Sequence, residues 1–284
     1  MQSLARVADD TARRLHGLVE PIHLVTYFCA EPTDALMALG LRNYWDGYFA
    51  GRAAPLGRVP AGVVHAVFYN FADGEVARHI PRVWDTVTPE SALAAREQGA
   101  VAALRRILGK LADSPGLARA ADIAIKAATG APTEGRILYA ALRTLPPPEE
   151  PVARLWHAAT LLREHRGDGH NAALVAAGIG GTEAHVLHAL SENMPAEKFG
   201  RVHHLPAEQL ARVVDGMRAR GLIDATGWLS EAGRQTKKRI ESLTDDLAAP
   251  PYSSLGTSEL DQLIADLEPI SATLDAAHAK AMAG

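Results

Sequence analysis

The segment from Arg163 to His170, which reads Arg-Glu-His-Arg-Gly-Asp-Gly-His, holds more ionisable side chains than an ordinary connecting loop needs. Two imidazoles and one carboxylate, from His165, Asp168 and His170, are the ligand set of mononuclear iron sites, so a metal ion is one candidate cofactor. Glu164 and His165 are instead an acid–base pair if the fold buries them. In a third interpretation the charged side chains pair with one another and Asp168 caps the helix that follows. The residue types leave all three interpretations open, with Glu164, His165, Asp168 and His170 as the candidate catalytic residues.

Arg52 is a second point of interest, because a constant shift along the chain places it on Arg163. The same shift places Trp45 on Trp156. Two tandem copies of one helical unit would produce such matches, although an alanine-rich chain also produces them by chance.

If the two copies form a pseudo-dimer, the groove between them is the natural ligand site. Two equivalent arginines there suit a carboxylate or another anion, because each guanidinium binds through a planar fork. Alternatively, the two arginines form buried structural ion pairs. His23 could likewise be a hydrogen-bonded core residue and not a ligand-binding one. We expect six residues to line the pocket: Arg52, Tyr48, Tyr69, Asn70, Arg163 and His23.

The composition is that of a helical protein. The 284 residues are 48% hydrophobic and only 5% aromatic, which favours closely packed helices over a sandwich of strands. The single cysteine, Cys29, excludes an intrachain disulfide and a cysteine zinc cluster. No apolar run is long enough to span a membrane, and the first residues lack a signal-peptide core, so we expect a cytoplasmic protein.

The clearest interruption of the helical pattern is the run Pro146-Pro147-Pro148-Glu149-Glu150. We place a domain boundary there, which divides the chain into residues 1–145 and 146–284. Beyond it we predict a helix over Val152 to Leu162 and another over Ala172 to Ala177. The segment from Arg163 to His170 is then the loop between these two helices.

The C-terminal half follows the order of a winged helix. A helix, a glycine-rich turn and a second helix over Thr182 to Asn193 form a helix-turn-helix, and a hairpin is predicted at Leu222 to Leu229. The stretch from Arg220 to Gly233 resembles the wing of MarR-type regulators, in which a helix ends in Gly-Leu-Ile and a Leu-Ser/Thr-x-x-Gly stretch starts the next helix. That resemblance implies a dimerisation helix over Glu231 to Leu247, and with it a homodimer.

The chain as a whole also resembles an actinobacterial family of helix-turn-helix proteins. The resemblance rests on four segments that span most of the sequence: Glu20-Pro21-Ile22-His23, Tyr48-Phe49-Ala50-Gly51-Arg52-Ala53-Ala54-Pro55-Leu56-Gly57, Phe68-Tyr69-Asn70-Phe71, and Leu155-Trp156-His157-Ala158-Ala159-Thr160 leading into the Arg163 segment. It implies the fold more than the function. We predict a mainly α fold built from two tandem winged-helix-like units with a small β-wing.

The charges argue against a dedicated DNA binder. The net charge is −4, and the expected recognition helix, Thr182 to Asn193, contains two glutamates and no lysine or arginine. Our leading hypothesis is therefore a small-molecule-binding protein on a winged-helix scaffold, with its pocket between the two repeats and with acid–base or metal-assisted chemistry at that pocket. The alternative is a MarR-like DNA-binding transcription regulator that senses a small molecule.

Overall fold

A computed structural model describes residues 2–199 and 205–283 and is mainly helical, which confirms the predicted fold class at that level. We number the α-helices in chain order: α1 (Gln2–Phe28), α2 (Ala30–Met37), α3 (Tyr44–Ala53), α4 (Ala61–Phe68), α5 (Pro89–Leu108), α6 (Pro115–Gly130), α7 (Ile137–Leu142), α8 (Pro151–Ala176), α9 (Gly181–Ser191), α10 (Ala207–Ala219), α11 (Glu231–Ala248) and α12 (Thr257–Ala283). Short 3₁₀ turns connect several of them.

Helix α8 packs against helices α1, α5, α6, α7 and α11. It begins with Pro151 in its first turn, and the Glu150 carboxylate caps it by accepting hydrogen bonds from the backbone N–H groups of Val152 and Ala153. It then continues without a break through residues 163–170, so the predicted loop at this segment is wrong. The two glycines lower the helix propensity, but packing on both sides of α8 outweighs that cost.

The buried apolar side chains form two cores. The first core takes residues from α1 to α7, the first half of α8 and α12. The second core takes the end of α8, together with α9, α10, α11 and the segment between the last two. Helix α8 thus contributes to both cores, and α12 returns to the first. The division into residues 1–145 and 146–284 stays a prediction, and the cores group the chain differently.

The predicted hairpin is reduced to a single antiparallel bridge between Ile223 and Leu229. The Asp224 N–H donates to the Trp228 carbonyl at 2.8 Å, and the Asp224 side chain accepts from the Thr226 N–H at 2.8 Å, which closes the turn. Within the described residues, this bridge is the one strand pairing. Residues 2–145 contain no strand pairing. Tandem winged-helix units and a full β-wing therefore remain a prediction.

No helix in the described residues has both the length and the apolar character needed to cross a membrane.

Candidate functional site

Glu164 lies at the centre of a buried ion cluster between α3 and α8. Its carboxylate accepts two hydrogen bonds from Arg52, at 3.3 Å from Nε and 3.1 Å from Nη2, and two from Nη1 of Arg163, both at 3.0 Å. Arg52 also donates to the Tyr48 hydroxyl at 3.1 Å, and its guanidinium stands 4.2 Å from the centre of the Phe68 ring. The fold thus brings Arg52 and Arg163 together around one carboxylate.

The charges in this cluster fix the protonation state of Glu164. Burial alone would raise its pKa, but the guanidinium groups of Arg163 and Arg52 outweigh burial and hold the pKa well below its usual range. The same attraction raises the pKa of Arg52 despite its burial. Glu164 therefore remains ionised, and its oxygens are already occupied by donors. This arrangement is that of an ion pair rather than of a general acid or base.

His23 extends the cluster into the first core. It is fully buried, with Nδ1 3.0 Å from Oγ1 of Thr160, and its ring meets the Tyr27 ring edge-on with centroids 5.2 Å apart. Burial, followed by the charge of Arg163, lowers the pKa of His23 well below its usual value, so the ring is neutral. In the described part of the chain, His23 Nε2 and the Tyr27 hydroxyl have no hydrogen-bond partner.

His165 and Asp168 face α7 instead of a solvent-filled pocket. Asp168 accepts a 3.0 Å hydrogen bond from the Tyr139 N–H, so it caps the first turn of α7 and not the helix that was expected to follow it. The His165 ring meets the Tyr139 ring edge-on at 4.9 Å, and the His165 carbonyl accepts from Arg136 at 2.6 Å. Both ring nitrogens of His165 are buried and have no partner among the described residues.

Burial dominates the titration of these two side chains. It raises the pKa of Asp168 to about 6, although the Tyr139 N–H opposes the shift. Burial, followed by the charge of Arg136, lowers the pKa of His165 to about 4. At neutral pH the imidazole is therefore uncharged.

His170 points away from this pair, towards α11. Its Nδ1 lies 2.9 Å from Oγ1 of Thr244, and burial lowers its pKa to about 4. An α-helix has 3.6 residues per turn, so it turns His165, Asp168 and His170 towards different neighbours. The three side chains do not form the predicted metal-ligand set, and within the described residues no group of three or more His, Cys, Asp or Glu side chains is placed to hold a metal ion.

Tyr69 joins the two cores. It follows the last turn of α4 with a positive φ of 58°, and its hydroxyl donates to the Ile179 carbonyl at 2.6 Å. The backbone of Tyr69 also lies against Gly181 at the start of α9, where a Cβ atom would collide with the Tyr69 carbonyl oxygen. Tyr69 therefore holds the second core against α4.

A groove of about 710 Å³ runs between α1, α8, α9 and α11. Three of the predicted site residues line it: Asn70, Arg163 and His170. The remaining polar lining mixes charges and imidazoles: His16, Glu20, Arg166, His185, His188, Ser191, Glu192, Lys237, Glu241 and Thr244. Helices that contribute to both cores thus line the groove, whereas Glu164, His165 and Asp168 are buried.

Sequence reasoning assigned the recognition helix to Thr182–Asn193, which corresponds to α9. The structure places a further helix, α10, between α9 and the Ile223–Leu229 bridge. In a winged helix the recognition helix directly precedes the wing. The sequence Gly221-Leu222-Ile223, which carries the resemblance to the wing of MarR-type regulators, follows α10.

Sequence reasoning also missed Arg96. This arginine is 2% exposed, on the buried face of α5 that otherwise carries small residues such as Ala92, Gly99 and Ala103. A lone arginine at helical spacing on an apolar face was the available signal.

A family model described as a helix-turn-helix family matches residues 12–281. No curated protein and no solved structure matches the chain significantly.

Proposed function

The chain belongs to the helix-turn-helix family, and from this premise we propose that it is a DNA-binding transcription regulator in which α10 enters the major groove. The family suggests a DNA-binding role. The assignment to α10, the wing contact of the Asp224–Trp228 turn and the homodimer expected of a MarR-like regulator are the finer parts of the proposal.

The observation that carries the proposal is the exposure of α10 directly before the bridge. Met217 is its one fully buried residue, and Leu210, Val213 and Val214 pack partly against the second core. The opposite face is exposed and carries Gln209, Arg212, Ala211, Asp215 and Arg218. Amide and guanidinium donors next to small residues are suited to base edges and phosphates.

The charge of this region differs from that of the whole chain. From Pro206 to Arg239 the sequence contains seven basic and four acidic residues, whereas the net charge of the chain is −4. Arg212 pairs with Glu208 and Arg218 with Asp215, but these pairs are exposed. Exposed pairs contribute only about 0–1 kcal/mol, so DNA phosphates can compete for both arginines.

Substitution of the two arginines tests the assignment. We expect Arg212→Ala with Arg218→Ala to weaken binding to labelled DNA from the region upstream of the protein's own gene by on the order of 100-fold, measured by fluorescence anisotropy. The matched control is Arg105→Ala with Arg106→Ala. These two arginines of α5 are also exposed and form ion pairs with acidic side chains. Equal losses in the two double variants, or no loss in the first, would contradict a role for α10.

The groove supports a second function, the binding of a small molecule that regulates the first. Its volume falls within the usual range of small-molecule sites, about 300–1,000 Å³. Because helices that contribute to both cores line the groove, a ligand that binds one arrangement of these helices more tightly would favour it and hence affect the presentation of α10. Acid–base activity at this site stays a prediction.

A thermal-shift screen of small anions and metabolite-like cations tests the groove. A compound that binds there should raise Tm in the wild type and lose most of that effect in His188→Ala, whose side chain lines the groove. Arg58→Ala removes an exposed residue outside the groove and should keep the effect. Tm shifts that are the same in both variants would exclude the groove as the binding site.

A further inference from the structure

We infer that a pocket between α5, α8 and the Pro146–Pro148 connector binds a small organic carboxylate through Arg96. The pocket is separate from the groove of the proposed function and has a volume of about 350 Å³. Its lining is mainly apolar, with a few polar groups: Leu93, Ala94, Arg96, Glu97, Leu142, Leu145, Pro146, Pro147, Pro148, Trp156, His157 and Thr160.

Arg96 is a buried cation without a counter-ion. Its side chain passes Gly51, where a Cβ atom would come within 3.3 Å of Arg96 Cδ, and its guanidinium lies 5.2 Å from the centre of the Trp156 ring. Nε and Nη2 are buried and make no hydrogen bond within the described residues, and none of the ion pairs found there involves Arg96. The carboxylate of the core cluster, Glu164, already serves Arg52 and Arg163.

A ligand with negative charge would resolve this imbalance. A buried guanidinium that lacks both a hydrogen-bond acceptor and an opposite charge is costly to maintain. The small cavity on the other side of Arg96, lined by Tyr27 and Tyr48, has only about 20 Å³, enough for a water molecule. Water would accept a hydrogen bond from Arg96 but would not neutralise its charge. A carboxylate does both, and its two oxygens match the guanidinium fork.

The rest of the lining selects an organic anion over an inorganic one. His157 is buried, its Nε2 has no partner in the described structure, and burial followed by the charge of Arg96 lowers its pKa to about 4. It is therefore a neutral polar group that adds no second positive charge for a phosphate dianion. Leu93, Leu145 and Trp156 instead provide apolar contact for a hydrocarbon body. Glu97 also lines the pocket, and its negative charge opposes a dianion more strongly than a ligand with one negative charge.

Titration with benzoate tests the site. We expect the wild type to bind benzoate, with a rise in Tm, and to bind the uncharged analogue benzamide at least about tenfold more weakly. Arg96→Met replaces the unpaired ion by an apolar side chain of similar length. It should therefore raise Tm of the ligand-free protein and abolish the effect of benzoate. Arg96→Lys keeps the charge without the fork and should bind benzoate more weakly than the wild type.

Arg58→Met is the matched control, because it removes the same charge from an exposed position outside the pocket. It should bind benzoate as the wild type does. The inference is overturned if benzoate does not bind, if Arg96→Met binds it equally well, if benzamide binds as tightly as benzoate, or if phosphate binds and benzoate does not. Arg96→Met should retain DNA affinity, so failure of this site and failure of the DNA-binding proposal are distinguishable.

Discussion

Glu164 forms ion pairs with two guanidinium groups, those of Arg52 and Arg163. Removal of a single charge from such a cluster leaves the others without compensation, which costs more free energy than the intact cluster contributes. The stability of the contact between α3 and α8 should therefore depend on this one carboxylate.

We expect Glu164→Gln to lower the free energy of unfolding by about 3 kcal/mol, because it leaves two partly buried arginines with a neutral partner. Urea denaturation at neutral pH measures the change. Glu208→Gln is the control, since it breaks an exposed pair with Arg212 and should change stability by less than about 0.5 kcal/mol. A similar small effect in both variants would show that the Glu164 cluster is not a buried ion pair of this kind.

His165 differs from Glu164 because neither of its ring nitrogens has a partner. Its pKa in the folded protein is about 4, below the ordinary value of 6.5, so between pH 6.5 and 4 the unfolded chain binds a proton that the folded protein does not. The contribution of His165 to stability therefore falls as the pH falls through this range, whereas Asp168, with its pKa raised to about 6, acts in the opposite direction. His157 and His170 act in the same direction as His165.

His165→Phe should accordingly retain stability at pH 7 and gain relative to the wild type at pH 5, measured as urea midpoints at the two pH values. His170→Phe loses the contact with Thr244 and should cost about 1 kcal/mol at pH 7. A loss of several kcal/mol in His165→Phe at pH 7 would show that the imidazole makes an essential hydrogen bond.

At the residue scale, the sequence indicated which side chains belong to the buried cluster better than it indicated which residues they contact. The shift that aligned Arg52 with Arg163 pointed to two arginines that the fold does bring together, at Glu164. The partners of His165 and Asp168 could not be predicted, because they lie on α7 and become neighbours only when α7 packs on α8.

At the scale of the elements, one glycine in α8 and one in α11 allow close packing. Within α8, a Cβ atom at Gly169 would meet the guanidinium of Arg136, which would have to move from its hydrogen bond with the His165 carbonyl. The sequence showed only its low helix propensity, from which we predicted a loop. In the first turn of α11, Gly233 of the Leu-Ser-x-x-Gly stretch lets the helix approach the Leu222 carbonyl, where a Cβ atom would collide.

Gly233→Ala should therefore destabilise the second core by about 1–3 kcal/mol, because the backbone must shift to admit the methyl group. Gly216→Ala in α10 is the matched control. A Cβ atom there meets nothing within 4 Å, so the same substitution should stabilise the protein by about 0.5–1 kcal/mol through helix propensity. Thermal unfolding of both variants gives the comparison, and equal shifts would contradict the close approach at Gly233.

In the whole molecule, α8 contributes to both cores, and different residues of α8 line the groove and the Arg96 pocket. The mainly α composition was readable from the sequence. The grouping of α12 with the first core was not, because it depends on contacts between residues far apart in the chain. The net charge of −4 describes the whole chain and does not show the local basic surplus between Pro206 and Arg239.

The most direct test of the account is the salt dependence of DNA binding by the wild-type protein. Labelled DNA from upstream of its own gene is titrated at 50 and 200 mM salt, in the presence of random competitor DNA. If about four phosphates are neutralised, the affinity should fall on the order of 100-fold between these concentrations, and the upstream DNA should bind more tightly than random DNA. Absence of binding at 50 mM salt, or equal binding to random DNA, would contradict a regulator that reads DNA through α10.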